Sequence, residues 1–112
     1  MAFQHDGLAG GRWFTFSLSQ QLGNVGSEVE RAIKWHAKGN KEYFESAYAR
    51  MLELLDLTIG DERWKGVRRK ELVRVREALC DSFEGGREIG GPLDNWPGYF
   101  LPFAILALRK PD

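Results

Sequence analysis

The stretch S-L-S-Q-Q-L-G-N-V-G-S-E-V-E-R-A-I-K-W-H-A-K-G-N, Ser17 to Asn40, decides the fold class. Leu18, Leu22, Val25, Val29, Ile33 and His36 fall at spacings of 4, 3, 4, 4 and 3. That rhythm is one stripe of an α-helix. Ser17 or Ser19 can cap its start, because a hydroxyl accepts a bond from a free N–H of the first turn. Gly39 can end it. Gly23 and Gly26 sit inside the pattern, where each weakens a helix by about 1 kcal/mol against alanine. Their expected return is the close approach of a neighbouring helix.

Downstream, Asn40 offers a cap for a second helix, K-E-Y-F-E-S-A-Y-A-R-M-L-E-L-L-D-L-T-I. Glu42 and Glu45 lie near its start, as the helix dipole prefers. Phe44, Ala47, Tyr48, Met51, Leu55 and Ile59 form its main stripe; Leu52 widens it on one side, and Tyr43, Leu54 and Leu57 on the other. The apolar arc covers roughly 200° or more. A helix that apolar is covered on two sides, either as the central helix or at a subunit interface. Tyr43, Leu54 and Leu57 are the candidate interface residues.

G-D-E-R-W-K-G breaks the pattern, and a third helix is expected over 67–83, with Leu72, Val75, Leu79 and Phe83 as its stripe and Gly85-Gly86 as its end. An Asp61 cap would instead start it earlier and enclose Gly66. R-E-I-G-G-P-L-D-N-W-P-G reads as a loop. Y-F-L-P-F-A-I-L-A-L-R-K is apolar enough to be buried, and Pro102 suits the first position of a short last helix. These elements predict an all-α, up-and-down four-helix bundle, three long helices plus a shorter C-terminal one. The alternative is a three-helix bundle with an extended C-terminal arm. One domain over 13–112 follows a flexible tail over 1–12.

Bulk composition narrows the function less. The 112 residues are 29% charged and 43% hydrophobic, which is a globular mixture. Sixteen basic residues balance sixteen acidic ones, so only local asymmetry points to a partner. A single cysteine, Cys80, forms neither an internal disulfide nor a zinc motif, and fits a reducing compartment. The N-terminus lacks a secretion pattern, and no apolar run nears the roughly 20 residues of a membrane span. A cytoplasmic protein is expected, with no cofactor and no membrane partner.

Catalytic signatures are sparse. The chain has no phosphate loop, no H-E-x-x-H, no C-x-x-C and no G-x-S-x-G. His5 falls in the tail and His36 on the apolar line of helix 1, where a core-edge or interface role is the plain expectation. Arg31-Ala-Ile-Lys-Trp-His36 matches R-x4-H and in this resembles HEPN-type ribonucleases, which are also small helical bundles. That family usually has a polar residue after the arginine, where this chain has Ala32. At i,i+5 the two side chains also lie about 140° apart on one helix. Glu77, Asp81 and Glu84 line one side of helix 3, where a solvated surface is expected and no metal site. Asp56, at the edge of an apolar arc, is expected to pair with an arginine of another helix. No residue is assigned a catalytic role.

The basic stretch R-W-K-G-V-R-R-K-E-L-V-R-V-R, Arg63 to Arg76, has the better claim. It carries seven basic residues and one acid. Arg68, Arg69 and Lys70 fall in the first turn of helix 3, beside backbone N–H groups that seek an anion. Trp64 can stack on a base. The candidate nucleic-acid or anion surface is Arg63, Trp64, Lys65, Arg68, Arg69, Lys70, Arg74 and Arg76. Arginines flanking an apolar stripe also describe an interface rim.

The runs N-V-G-S-E-V-E-R-A-I-K-W-H-A-K-G-N-K-E-Y-F, M-L-E-L-L-D-L-T-I-G-D and E-L-V-R-V-R-E-A-L-C-D-S-F resemble a family of small uncharacterised prokaryotic helical-bundle proteins. In size and layout the chain is also similar to the four-helix bundles of ribosomal-RNA intervening sequences and to diversity-generating-retroelement accessory proteins. That likeness implies ring-like oligomers with basic surfaces and carries no site residues. The leading expectation is a non-enzymatic bundle that self-associates and contacts RNA or a nucleoprotein partner through its basic helix. A protein-interaction scaffold without nucleic-acid binding, and a HEPN-like toxin ribonuclease, are the alternatives.

Overall fold

The computed structural model of the chain describes residues 11–85 and 89–108. Four α-helices follow a short 3-10 turn, Arg12–Thr15: α1 Leu18–Lys38, α2 Lys41–Ile59, α3 Val67–Phe83 and α4 Trp96–Leu108. The caps of α1 and the start of α2 have chemical causes. The Ser17 side chain accepts from the Gln20 N–H at 3.1 Å, and the Gln20 side chain accepts from the Ser17 N–H at 2.8 Å. Gly39 takes φ 70 and closes α1, and Asn40 Oδ1 at once accepts from the Tyr43 N–H to open α2.

This two-residue corner sends α2 back along α1. His36 near the end of α1 meets Phe44 near the start of α2, while Trp13, before α1, meets Thr58 at the end of α2. The start of α2 also meets the end of α3, through Tyr48 and Phe83. α4 runs back down α1, with Phe100 against Gly26 and Ala104 against Gly23. The result is an all-α, up-and-down four-helix bundle. α1 lies between α2 and α4, and its packed face holds Leu22, Val25, Val29 and Ala32.

Close approach explains the two glycines of α1. A Cβ at Gly26 would stand 2.6 Å from the Phe100 Cβ, and one at Gly23 would stand 3.4 Å from the Ala104 Cα. Their low helix propensity is exchanged for helix–helix contact.

The C-terminal part departs from expectation. α4 opens at Trp96, so W-P-G is the start of a helix and not the end of a loop. Pro97 lies in the first turn, where no N–H bond is lost. Pro102 lies inside the helix rather than at its start, and forgoes a bond to the Gly98 carbonyl; both residues are on the exposed side. The extended-arm alternative fails because α4 packs along α1. The approach to α4 is pinned to α3: Asp81 Oδ2 accepts from the N–H groups of Ile89 and Gly90, and Ser82 Oγ donates to the Gly91 carbonyl and accepts from Trp96 Nε1. A Cβ at Gly90 would collide with the Ala78 carbonyl.

At the other end, the expected tail over 1–12 lies outside the described residues as far as residue 10, as does His5. Arg12 already belongs to the turn that carries Trp13, which is 1% exposed.

Candidate functional site

The basic stretch leaves the α2–α3 corner, and Asp61 governs that corner. Asp61 is 3% exposed and accepts at 3.0 Å from Arg63 Nε, at 2.7 Å from Arg63 Nη2 and at 3.0 Å from Gln21 Nε2. These bonds, led by the one from the Arg63 side chain, hold its carboxyl down at about 2, against the opposing effect of burial. Gln21 extends the network: its Nε2 also donates to the Trp13 carbonyl, and its Oε1 accepts from Trp64 Nε1 at 2.8 Å. Trp13 Nε1 in turn donates to Thr58 Oγ1 at 3.0 Å.

This network divides the basic residues. Arg63 is held by Asp61 and the Phe16 carbonyl, and its guanidinium lies 4.5 Å from the Trp64 ring centre. Trp64 is half-buried, with its indole N–H on Gln21. Lys65 stands 3.4 Å from Glu62. Arg69 Nη2 donates to the Asp61 carbonyl and stands 3.8 Å from Glu62. Arg76 Nε donates to Asp56 at 2.7 Å, which is the interhelix pair expected of Asp56. Among the described residues, Arg68, Lys70 and Arg74 have no carboxylate at ion-pair distance. Arg68 lies 6.0 Å from the Trp64 ring centre.

α3 starts after Gly66, which has φ 90 and no capping side chain. Next to that open end is a surface recess of about 550 Å³ lined by Gly66, Arg69, Lys70, Val73, Arg74 and Glu77. Three cations and the acid Glu77 therefore ring an apolar floor beside a helix N-terminus. Arg69 Nε is buried there without a hydrogen-bond partner among the described residues.

The remaining candidates are placed apart. Arg31 Nη1 stands 3.1 Å from Glu28, whereas the His36 ring packs against Phe44 and Phe83, so each is engaged separately. No cluster of three His, Cys, Asp or Glu side chains that could hold a metal occurs among the described residues. On α2, Tyr43 is exposed with its ring edge-on to Trp35, and Leu57 is half-buried. Leu54 is 3% exposed and corrects the interface expectation: it belongs to the chain's own core, beside Trp13 and Phe16. Apart from Tyr43, most of the width of α2 is covered within one chain.

Sequence reasoning missed the outer face of α4, because the apolar run over 99–110 read as buried. Leu101, Ile105, Leu106 and Leu108 are exposed there. The signal was present in the charge-free run from Trp96 to Leu108. Among the described residues, no helix is long and apolar enough to cross a membrane.

No family of known proteins, no curated protein and no solved structure matches this chain.

Proposed function

We propose that this protein is a non-enzymatic helical bundle that self-associates and contacts RNA through the phosphate backbone, with α3 as the contact. The observation that carries the reading is the set of cations left over at the recess. Lys70 and Arg74 line it and, like Arg68 outside the lining, have no acidic partner among the described residues; Arg69 stands beside them. Phosphate oxygens match guanidinium and ammonium donors, and the uncapped start of α3 adds backbone N–H groups. The contact is narrower than the full basic stretch, since Arg63, Lys65 and Arg76 already serve carboxylates. The charge-free outer face of α4 supports self-association.

Three phosphate contacts predict an affinity for single-stranded RNA that falls with salt at a log–log slope of about −2. The triple variant Arg68→Glu/Lys70→Glu/Arg74→Glu abolishes binding, and Lys41→Glu, on α2, leaves it intact. Light scattering with an absorbance ratio, on protein purified without nuclease, reads mass and bound nucleic acid together. Protein that carries no RNA even at low salt overturns the RNA reading and leaves a protein-interaction scaffold.

A further inference from the structure

We infer that the outer face of α4 pairs, antiparallel and about a two-fold axis, with α4 of a second copy of this chain. The inference rests on the self-association part of the reading above and is independent of the RNA part.

α4 faces its own chain with Trp96 and Phe100, which are 8% and 2% exposed. At 100° per residue, the opposite half of the helix belongs to Leu101, Pro102, Ile105, Leu106 and Leu108, with Gly98 among them and Tyr99 at its edge. All seven are exposed and none is charged. The outer face of a surface helix is ordinarily polar; a helix apolar all round is a covered helix. A membrane is a poor cover. Thirteen residues span about 20 Å, short of the roughly 30 Å hydrocarbon core. Helices that lie in the membrane interface carry Lys and Arg along a polar face, and α4 has neither.

A second copy fits by charge, area and shape. An uncharged strip meets itself without like-charge repulsion. Exposures of 42% for Tyr99 up to 88% for Leu108 offer area enough. Covering the whole strip removes at most roughly 600 Å² per copy, or about 1,200 Å² for the pair, so the pair reaches the lower edge of stable interfaces only when the full strip is buried. Shape gives the register. Gly98 and Ile105 are two turns apart on the midline of the strip, and a Cβ at Gly98 would meet nothing within 4 Å. An antiparallel pair puts Ile105 of each copy over the Gly98 notch of the other.

Light scattering on the full chain tests this, read beside circular dichroism. The wild type runs at twice the 12.8 kDa chain mass. Ile105→Glu halves the mass while helicity is kept. Gly98→Leu also halves it, although it adds apolar surface and improves helix propensity, because it fills the notch. Tyr43→Glu on α2 leaves the dimer intact. A dimer that survives both α4 variants overturns the inference and leaves self-association standing at another surface. A dimer broken by Ile105→Glu but not by Gly98→Leu overturns the antiparallel register. A wild-type monomer at all concentrations removes self-association itself, and its sedimentation with phosphatidylcholine vesicles would assign the face to lipid.

Discussion

Asp61 ties three parts of the chain together, through Arg63, Gln21 and the backbone of the α2–α3 corner. Its folded carboxyl sits at about 2 against an ordinary 3.8. A depressed carboxylate stabilises the fold above its unfolded pKa, and that contribution is lost as pH falls through the folded value. The loss therefore runs from about pH 4 down to about pH 2 and amounts to about 2 kcal/mol. Asp61→Asn should lower stability by a similar amount at neutral pH and remove this part of the acid sensitivity. Urea unfolding at about pH 6 and pH 2.5 measures both, and equal acid losses in wild type and variant would refute the assignment. Periodicity could not expose this residue. It tracks apolar positions, whereas Asp61, Gln21, Glu28 and Thr58 are buried polar groups chosen by their hydrogen bonds.

Among the elements, α1 and α4 give the sharpest test of packing. Gly26→Ala gains about 1 kcal/mol of helix propensity but drives a methyl into Phe100, a ring 2% exposed with nowhere to move. Overpacking of this kind costs about 1–3 kcal/mol, so the variant is expected to be less stable overall. Gly23→Ala meets Ala104 at 3.4 Å and should be near neutral or slightly stabilising. Thermal melts of the two variants separate propensity from packing, and equal shifts would contradict this contact geometry. The contrast also marks what the sequence made legible. Spacing and caps located α1, α2 and α3, and the glycines of α1 announced a close neighbour. The identity of that neighbour was hidden, because Gly90 and Pro97 read as loop residues and Pro102 as the start of the helix rather than its interior. Gly90 is pinned against α3, and Pro97 loses nothing in a first turn. The basic stretch was visible in full, but its division into paired and unpaired cations depends on Asp56, Asp61 and Glu62, which only the folded chain brings near.

Across the whole molecule, burial is uneven. The first half of α3 buries only Leu72, whereas α1 buries residues along most of its length. Local opening has a low cost where few side chains are buried. Hydrogen exchange should therefore release the amides of 68–76 before those of α1, and RNA should slow the first group without changing the second. Uniform protection along the bundle would argue against this view of α3. The order of packing around α1 also sets an order in time. α2 reaches α1 across the Gly39–Asn40 corner, so this hairpin closes a short loop. α4 reaches the same helix only after α3 and both long connections have been traversed. Early in folding, the Gly23–Gly26 strip is thus a vacant berth on a formed hairpin. The docking of α4 is then expected late, and damage to that strip should raise the rate of unfolding more than it lowers the rate of folding.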